Sequence, residues 1–235
     1  NILLEQYGAD TTRLFCLFAA PPEKSLEWSD QGVEGGYRFL NRIWRFTWSC
    51  MDSIKDVEPF EGSPGELEGN VRELYVKIHQ TIKKVSSDIE ERFHFNTAIS
   101  AVMELVNAMY AIDLKEKIDP AKAGVLKFAV QSVVLLLSPI VPHFAEELWK
   151  ALGNETGILL TSWPSYREDA LESDDLLIVV QVNGKLRGRF TISADADDDA
   201  IKEAALSNEY AEKFIKDKPI KKVIVVKKKL VNIVV

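Results

Sequence analysis

The sequence predicts a mainly α-helical protein with a small α+β part, in which an antiparallel helical bundle precedes a β-β-α-β-β domain. Apolar residues recur at three- and four-residue steps through residues 30–152, which is the period of an amphipathic helix. From residue 176 the pattern changes to β-branched runs around a two-residue turn signal. The intervening segment 165–175 is polar, as a domain boundary is expected to be.

Residues 1–29 begin with a helical pattern that breaks at Gly8-Ala9-Asp10, where Asp10 is a candidate N-cap for the next helix. Pro21-Pro22 ends that helix. Since the chain starts at Asn1, in mid-helix and without a Met, we expect it to be a segment of a longer protein. Asp30 then opens a long helix. Its apolar positions fall at three- and four-residue steps: Val33, Tyr37, Leu40, Ile43, Trp44, Thr47 and Met51.

The bundle is predicted to span residues 30–165 and to contain four or five helices. An acidic loop, 55–69, is followed by a second long helix with a near-heptad repeat at Val71, Leu74, Ile78, Ile82, Val85 and Ile89. Asn96 is a candidate cap for the third helix, and Pro120 suits the first turn of the fourth. The apolar run 133–137 places that fourth helix at the bundle centre, and a last helix runs from about His143 to Leu152.

The small domain is predicted to span residues 172–235. Asn183-Gly184 is a hairpin turn signal between a strand at 176–182 and its partner at 185–192. Residues 197–216 are predicted to be helical with a break at Ser207-Asn208, and Pro219 stops the helix. Two further strands follow, at 221–226 and 230–235.

Composition indicates a soluble globular protein, with 46% hydrophobic and 28% charged residues. No apolar run approaches the ~20 residues of a membrane span. The two cysteines, Cys16 and Cys50, form no C-x-x-C pair, which favours a reduced cytoplasmic compartment and no metal site. The net charge of -7 is uneven, because residues 176–235 hold 12 Lys and Arg against 8 Asp and Glu. Those last residues either bind a polyanion or form a lysine-rich solvated surface.

No glycine-rich phosphate loop or catalytic Ser, His and acid spacing is present, so a self-contained active site is not expected. The clearest cluster is on the hairpin, where strand alternation predicts that Lys185, Arg187 and Arg189 project together while Leu186 and Phe190 face the core. Three aligned cations can contact phosphates. They can equally protect an exposed strand from aggregation. Lys227, Lys228 and Lys229 form a second basic turn, for which simple solvation is an equal alternative.

A second basic cluster lies on the first long helix, where Arg38, Arg42 and Arg45 fall on one side. These arginines either contact a phosphate backbone or pair with Glu27 or Glu34 and cover apolar surface with their stems. The nearby Trp44 and Trp48 are interpreted as core residues rather than as base-stacking platforms.

Several runs resemble class I aminoacyl-tRNA synthetases for aliphatic amino acids. The segment from Tyr7 to Phe15 is similar to the one that follows the KMSKS loop in that family. Other stretches resemble the leucyl member: Leu26-Glu27-Trp28, Gly32–Gly35, Arg38-Phe39-Leu40, Phe95–Ile99, Met103-Glu104-Leu105, Leu137–His143 and Glu146–Trp149. Val180–Lys185 with Arg187, and the closing Lys229–Val234, are similar to the small C-terminal domain of bacterial leucyl-tRNA synthetases.

This resemblance covers essentially the whole chain. It implies that residues 1–29 end the catalytic and stem-contact region, and that the rest holds leucine tRNA as a monomer in the cytoplasm. The bundle is expected along the inner side of the L-shaped tRNA, and the small domain at the corner where the D and TΨC loops meet. The whole ligase would join leucine to tRNA with ATP and magnesium. The HIGH-like and KMSKS signatures are absent here, so this chain is expected to bind no cofactor and to be inactive alone.

Other interpretations stay open. Valyl and isoleucyl relatives share the bundle motifs, but they would imply a C-terminal coiled coil or a cysteine-rich zinc module, which this sequence lacks. A stand-alone RNA-binding protein, or a protein-interaction module built on the bundle, is a further alternative.

Overall fold

The computed structural model describes residues 2–20, 25, 27–91, 93–116, 118–171, 175–193, 196–216, 218–226 and 229–235. The chain divides into two compact units, Asn1–Leu171, here the helical unit, and Glu172–Val235, here the α/β unit. The described part of the helical unit contains α1 Ile2–Ala19, α2 Asp30–Ile54, α3 Gly69–Glu90, α4 Phe95–Tyr110, α5 Pro120–Leu137 and α6 Pro142–Ala151. The predicted fold class is therefore confirmed for this part.

The core of the helical unit is built around α5. Its apolar residues contact those of α2, α3, α4 and α6 in one continuous cluster. The helix is long and apolar enough by composition to cross a membrane, but most of it is buried inside this unit. The predicted heptad side of α3 packs against the same cluster, with Leu74, Ile78, Ile82 and Val85 buried.

Local side-chain capping marks the start of two long helices in the helical unit, α2 and α5. The Ser29 side chain accepts a hydrogen bond from Gly32 N–H at the start of α2, and the Asp119 side chain accepts one from Lys122 N–H at the start of α5. The prediction of Asn96 as a cap is wrong, because α4 begins at Phe95 and its N-cap is His94. The predicted stop at Pro21-Pro22 lies outside the described residues.

Asp10 also differs from its prediction. The expected break is present at Gly8, whose φ of 81° interrupts α1, but the Asp10 side chain binds another helix. Its carboxylate accepts from Phe144 N–H at 2.7 Å and lies 2.9 Å from His143 Nδ1, so it caps the start of α6. A partner more than 130 residues away in sequence cannot be read from local cap patterns. Residues of α1 therefore pack within the helical unit rather than apart from it.

The α/β unit contains β1 Asp175–Val182, β2 Lys185–Ser193, α7 Asp198–Leu206, α8 Glu209–Ile215, β3 Lys222–Val226 and β4 Leu230–Val234. The sheet order is β2-β1-β4-β3, with β1 and β4 parallel and the other pairs antiparallel. The predicted helix is broken at Ser207-Asn208, as expected. Ile201, Ala205 and Ala211 of α7 and α8 pack on one face of the sheet, against Ile178, Val180, Val182, Val231 and Ile233.

Candidate nucleic-acid interface

The hairpin tip is held rigidly. Asn183 and Gly184 have positive φ angles of 48° and 76°, as the predicted two-residue turn requires. The Asn232 side chain accepts a hydrogen bond from Gly184 N–H at 3.0 Å, and Asn183 N–H donates to the Ile233 carbonyl at 2.9 Å. The tip is thus tied to β4 and presents the following strand, β2, in a fixed orientation.

The alternation predicted for β2 is wrong, because the pairing of β1 and β2 shifts between Val180 and Gln181. Gly188 pairs with Val180 and Leu186 pairs with Gln181, so Arg187 is an extra residue in a β-bulge. Leu186, predicted to face the core, is 53% exposed, whereas Phe190 packs against the core as predicted. One inserted residue is enough to reverse the faces of a strand.

The bulge separates the three hairpin cations. Lys185 pairs with buried Val182 and therefore lies on the face that carries α7 and α8. Arg187 lies on the same face, because its guanidinium carbon is 3.8 Å from the centroid of the Phe214 ring in α8. Arg189 pairs with Val179 and so points from the opposite face. The hairpin therefore offers two cations on one side and one on the other.

The environment of Arg187 differs most from the exposed position that the sequence predicted. It is half-buried, and its Nε has no hydrogen-bond partner among the described residues. The sequence carries no signal for the role of Phe214, since nothing in a strand pattern indicates which helix residue will lie beneath a bulge. Arg189 and Lys185, by contrast, are exposed.

The second basic turn is only partly described. Lys227 and Lys228 lie outside the described residues. Lys229 is exposed, and its main chain joins the turn to the sheet, with N–H donating to the Val226 carbonyl and the carbonyl accepting from Val179 N–H, each at 3.0 Å.

The arginines of α2 have different environments. Arg38 lies 4.0 Å from Glu34, one of the two acids predicted as partners. Arg42 Nη2 donates to Asn107 Oδ1 at 2.9 Å, and its guanidinium lies 5.0 Å from the centre of the Tyr110 ring. Arg42 therefore links α2 to α4. Arg45 is exposed, and no described residue forms a hydrogen bond or ion pair with it.

The tryptophans of α2 are not core residues, which corrects the prediction. Trp44 is 38% exposed and Trp48 is 50% exposed, and Tyr37, another apolar position of the predicted helix, is 43% exposed. A separate stripe, including Val33, Phe39, Ile43, Phe46 and Ile54, already fills the buried side of this helix. Because this complete stripe was visible in the sequence, it could have indicated that Tyr37, Trp44 and Trp48 lie outside the buried side. Tyr37 and Trp44 line an open cavity of about 550 Å³ with Tyr7, Asp10, His143 and Phe144.

Another feature of the helical unit is a buried imidazole. His79 is 2% exposed; its Nδ1 accepts a hydrogen bond from Arg167 N–H at 3.2 Å. Burial, with a further contribution from the Arg167 guanidinium, lowers the pKa of His79 to about 4. The ring packs against Tyr75 and Phe128, with centroids 4.6 and 5.1 Å away. His79 is therefore a neutral, structural residue at physiological pH. Across the described residues, no group of three or more His, Cys, Asp or Glu could hold a metal ion.

Comparison with known proteins gives one family match and many relatives. Residues 71–203 match the family described as the anticodon-binding domain of tRNA ligase. The chain is 59% identical over 233 residues to the leucine–tRNA ligase of Desulfatibacillum aliphaticivorans, covering 99% of this chain and 27% of that protein. It is 61% identical over 236 residues to that of Desulforapulum autotrophicum, covering 100% of this chain and 27% of that protein.

A solved structure is also similar. It is the crystal structure of a ternary complex of LeuRS from Agrobacterium radiobacter K84 with tRNA and LeuAMS, with a TM-score of 0.83 and 27% sequence identity. The match covers 99% of this chain and 30% of that one. This chain thus spans about 27% of the length of the two bacterial relatives.

Proposed function

This chain belongs to the family of anticodon-binding domains of tRNA ligases, and we propose that it is the tRNA-holding portion of a leucine–tRNA ligase. Similarity to leucine–tRNA ligases along the whole chain carries this proposal. In this role the chain positions leucine tRNA, while a catalytic core outside residues 1–235 joins leucine to it with ATP and magnesium. The relatives identified by name favour the leucyl type over the valyl and isoleucyl types.

The proposed RNA contact is the helix-bearing side of the hairpin, where Lys185 and Arg187 lie together. Structured RNA is recognised mainly through its shape, phosphates and 2′-hydroxyls, which a pair of neighbouring cations can contact. Lys229, Lys227 and Lys228 of the second basic turn, and Arg38 and Arg45 of α2, are proposed as additional phosphate contacts. Arg42 is a weaker candidate, since its guanidinium is already engaged by Asn107 and Tyr110.

A gel shift with a leucine tRNA transcript at two salt concentrations tests this function. We expect a shifted complex that weakens as salt rises, because each neutralised phosphate releases counterions. The exposed Tyr37, Trp44 and Trp48 favour the alternative of a protein-interaction module. For such a module we expect no shift at either concentration.

We also expect the 235-residue chain alone to have no amino-acid activation activity, since it carries no nucleotide-binding signature. Leucine-dependent exchange of pyrophosphate into ATP is the measurement. Exchange by the purified chain, at a rate proportional to its concentration, would contradict this expectation.

A further inference from the structure

The guanidinium of Arg187 lies over an aromatic ring. Its central carbon lies 3.8 Å from the centroid of Phe214, a stacking distance. Phe214 itself packs against the core of the α/β unit, so the ring cannot move freely. Stacking of this kind orients a planar side chain without using any of its hydrogen-bond donors.

The donors of Arg187 are unused within the described part of the chain. None of those residues forms a hydrogen bond or ion pair with it, and its Nε is buried without an acceptor. A buried donor without a partner destabilises a fold, and such exceptions call for an explanation. The protein is acidic overall, with a net charge of -7, yet no described carboxylate neutralises this cation. An external anion could therefore bind this guanidinium without breaking a hydrogen bond or ion pair to any described residue.

The helix that carries Phe214 is fixed to the strand beside the bulge. Asn208 Nδ2 donates to the Arg189 carbonyl at 3.3 Å, while Asn208 Oδ1 accepts from Tyr210 N–H and Ala211 N–H at the start of α8. Gly188 makes this approach possible, because a Cβ there would lie 2.4 Å from Asn208 Oδ1. The bulge, Asn208 and α8 therefore set the position of the ring relative to Arg187.

We propose that Phe214 is a positioning residue for RNA binding, which holds the Arg187 guanidinium in the orientation that contacts a tRNA phosphate. This inference rests on the proposed function. It explains why an arginine suits this site, since a lysine ammonium can neither stack flat on the ring nor form two parallel hydrogen bonds to a phosphate.

The test measures the affinity of the 235-residue chain for a leucine tRNA transcript by fluorescence anisotropy at fixed salt. Arg187→Lys and Phe214→Leu are each expected to weaken binding by about 5- to 20-fold. Phe214→Leu in an Arg187→Ala background is expected to change affinity by less than about twofold, because the ring acts only through the guanidinium. Phe214→Trp should retain binding. Arg189→Lys, on the opposite face, is the matched control and should also retain it.

A purely structural role for Phe214 predicts a different pattern. Phe214→Leu would then weaken the Arg187→Ala chain by the same factor as the unaltered chain, and thermal unfolding would report the damage. That result, or full affinity in Arg187→Lys, would overturn the role of Phe214 and leave the proposed function in place. Failure of the unaltered chain to bind the tRNA contradicts the proposed function and removes the inference with it.

Discussion

Replacing Lys185 and Arg187 together by alanine is expected to weaken binding of leucine tRNA by about 30- to 100-fold, the effect of losing two charge-assisted contacts. The slope of log K against log salt should become shallower by about 1.4 to 1.8, since each phosphate contributes roughly 0.7 to 0.9. Both side chains lie on the helix-bearing face, so a single stretch of RNA backbone can contact both. Binding titrations between about 50 and 200 mM salt measure both quantities.

Arg189→Ala is the matched control, because it removes one cation of the same strand from the opposite face. It is expected to leave the slope nearly unchanged. The reverse outcome would be a shallower slope in Arg189→Ala and an unchanged slope in the double variant. It would indicate that the RNA contacts the opposite face of the hairpin. If the cations serve only to protect the edge strand, the double variant keeps its slope and aggregates instead, which light scattering detects.

Acidification is expected to remove up to about 3 kcal/mol from the free energy of unfolding as the pH falls from 6.5 toward 4, through His79 alone. The folded pKa is lowered, so in this interval the unfolded state binds a proton that the folded state does not. Stability from His79 is therefore complete above pH 6.5 and is lost as the pH decreases toward 4. Urea unfolding at a series of pH values measures this loss.

His79→Gln is the control for that series. The glutamine carbonyl can still accept from Arg167 N–H, but it does not titrate. The variant should have a flatter dependence of stability on pH than the unaltered chain, whatever its stability at neutral pH. Parallel curves for the two proteins, or an imidazole that titrates near 6.5 by NMR, would show that His79 is not held neutral by burial.

Regular patterns in the sequence predicted most of the fold because they reflect local physics. Residues close in sequence determine the helical period, the helix start at Pro120 and the turn at Asn183-Gly184. Asp10 could not be assigned correctly, since its partner Phe144 N–H comes from a distant helix. Trp44 was misassigned because it was judged by its own apolarity, without regard to the complete buried stripe on the other side of α2.

The candidate site was less predictable than the fold for a related reason. Strict alternation placed three cations on one face, and a single inserted residue, Arg187, divided them. Nothing in the β2 sequence separates a bulge from a regular strand except Gly188, which permits the close approach of Asn208. The ring of Phe214 beneath Arg187 is a tertiary contact between a strand and a helix, and only the folded structure reveals it.

Hydroxyl-radical footprinting of a leucine tRNA transcript bound to the 235-residue chain tests the central claim most directly, because it locates the contact on the RNA. We predict protection of the backbone at the corner where the D and TΨC loops meet, with the anticodon loop left accessible. The Lys185→Ala/Arg187→Ala variant should lose protection at that corner. Protection confined to the anticodon loop, or a footprint that is identical in the variant, would contradict the account of this chain as a module that holds the tRNA body through its hairpin.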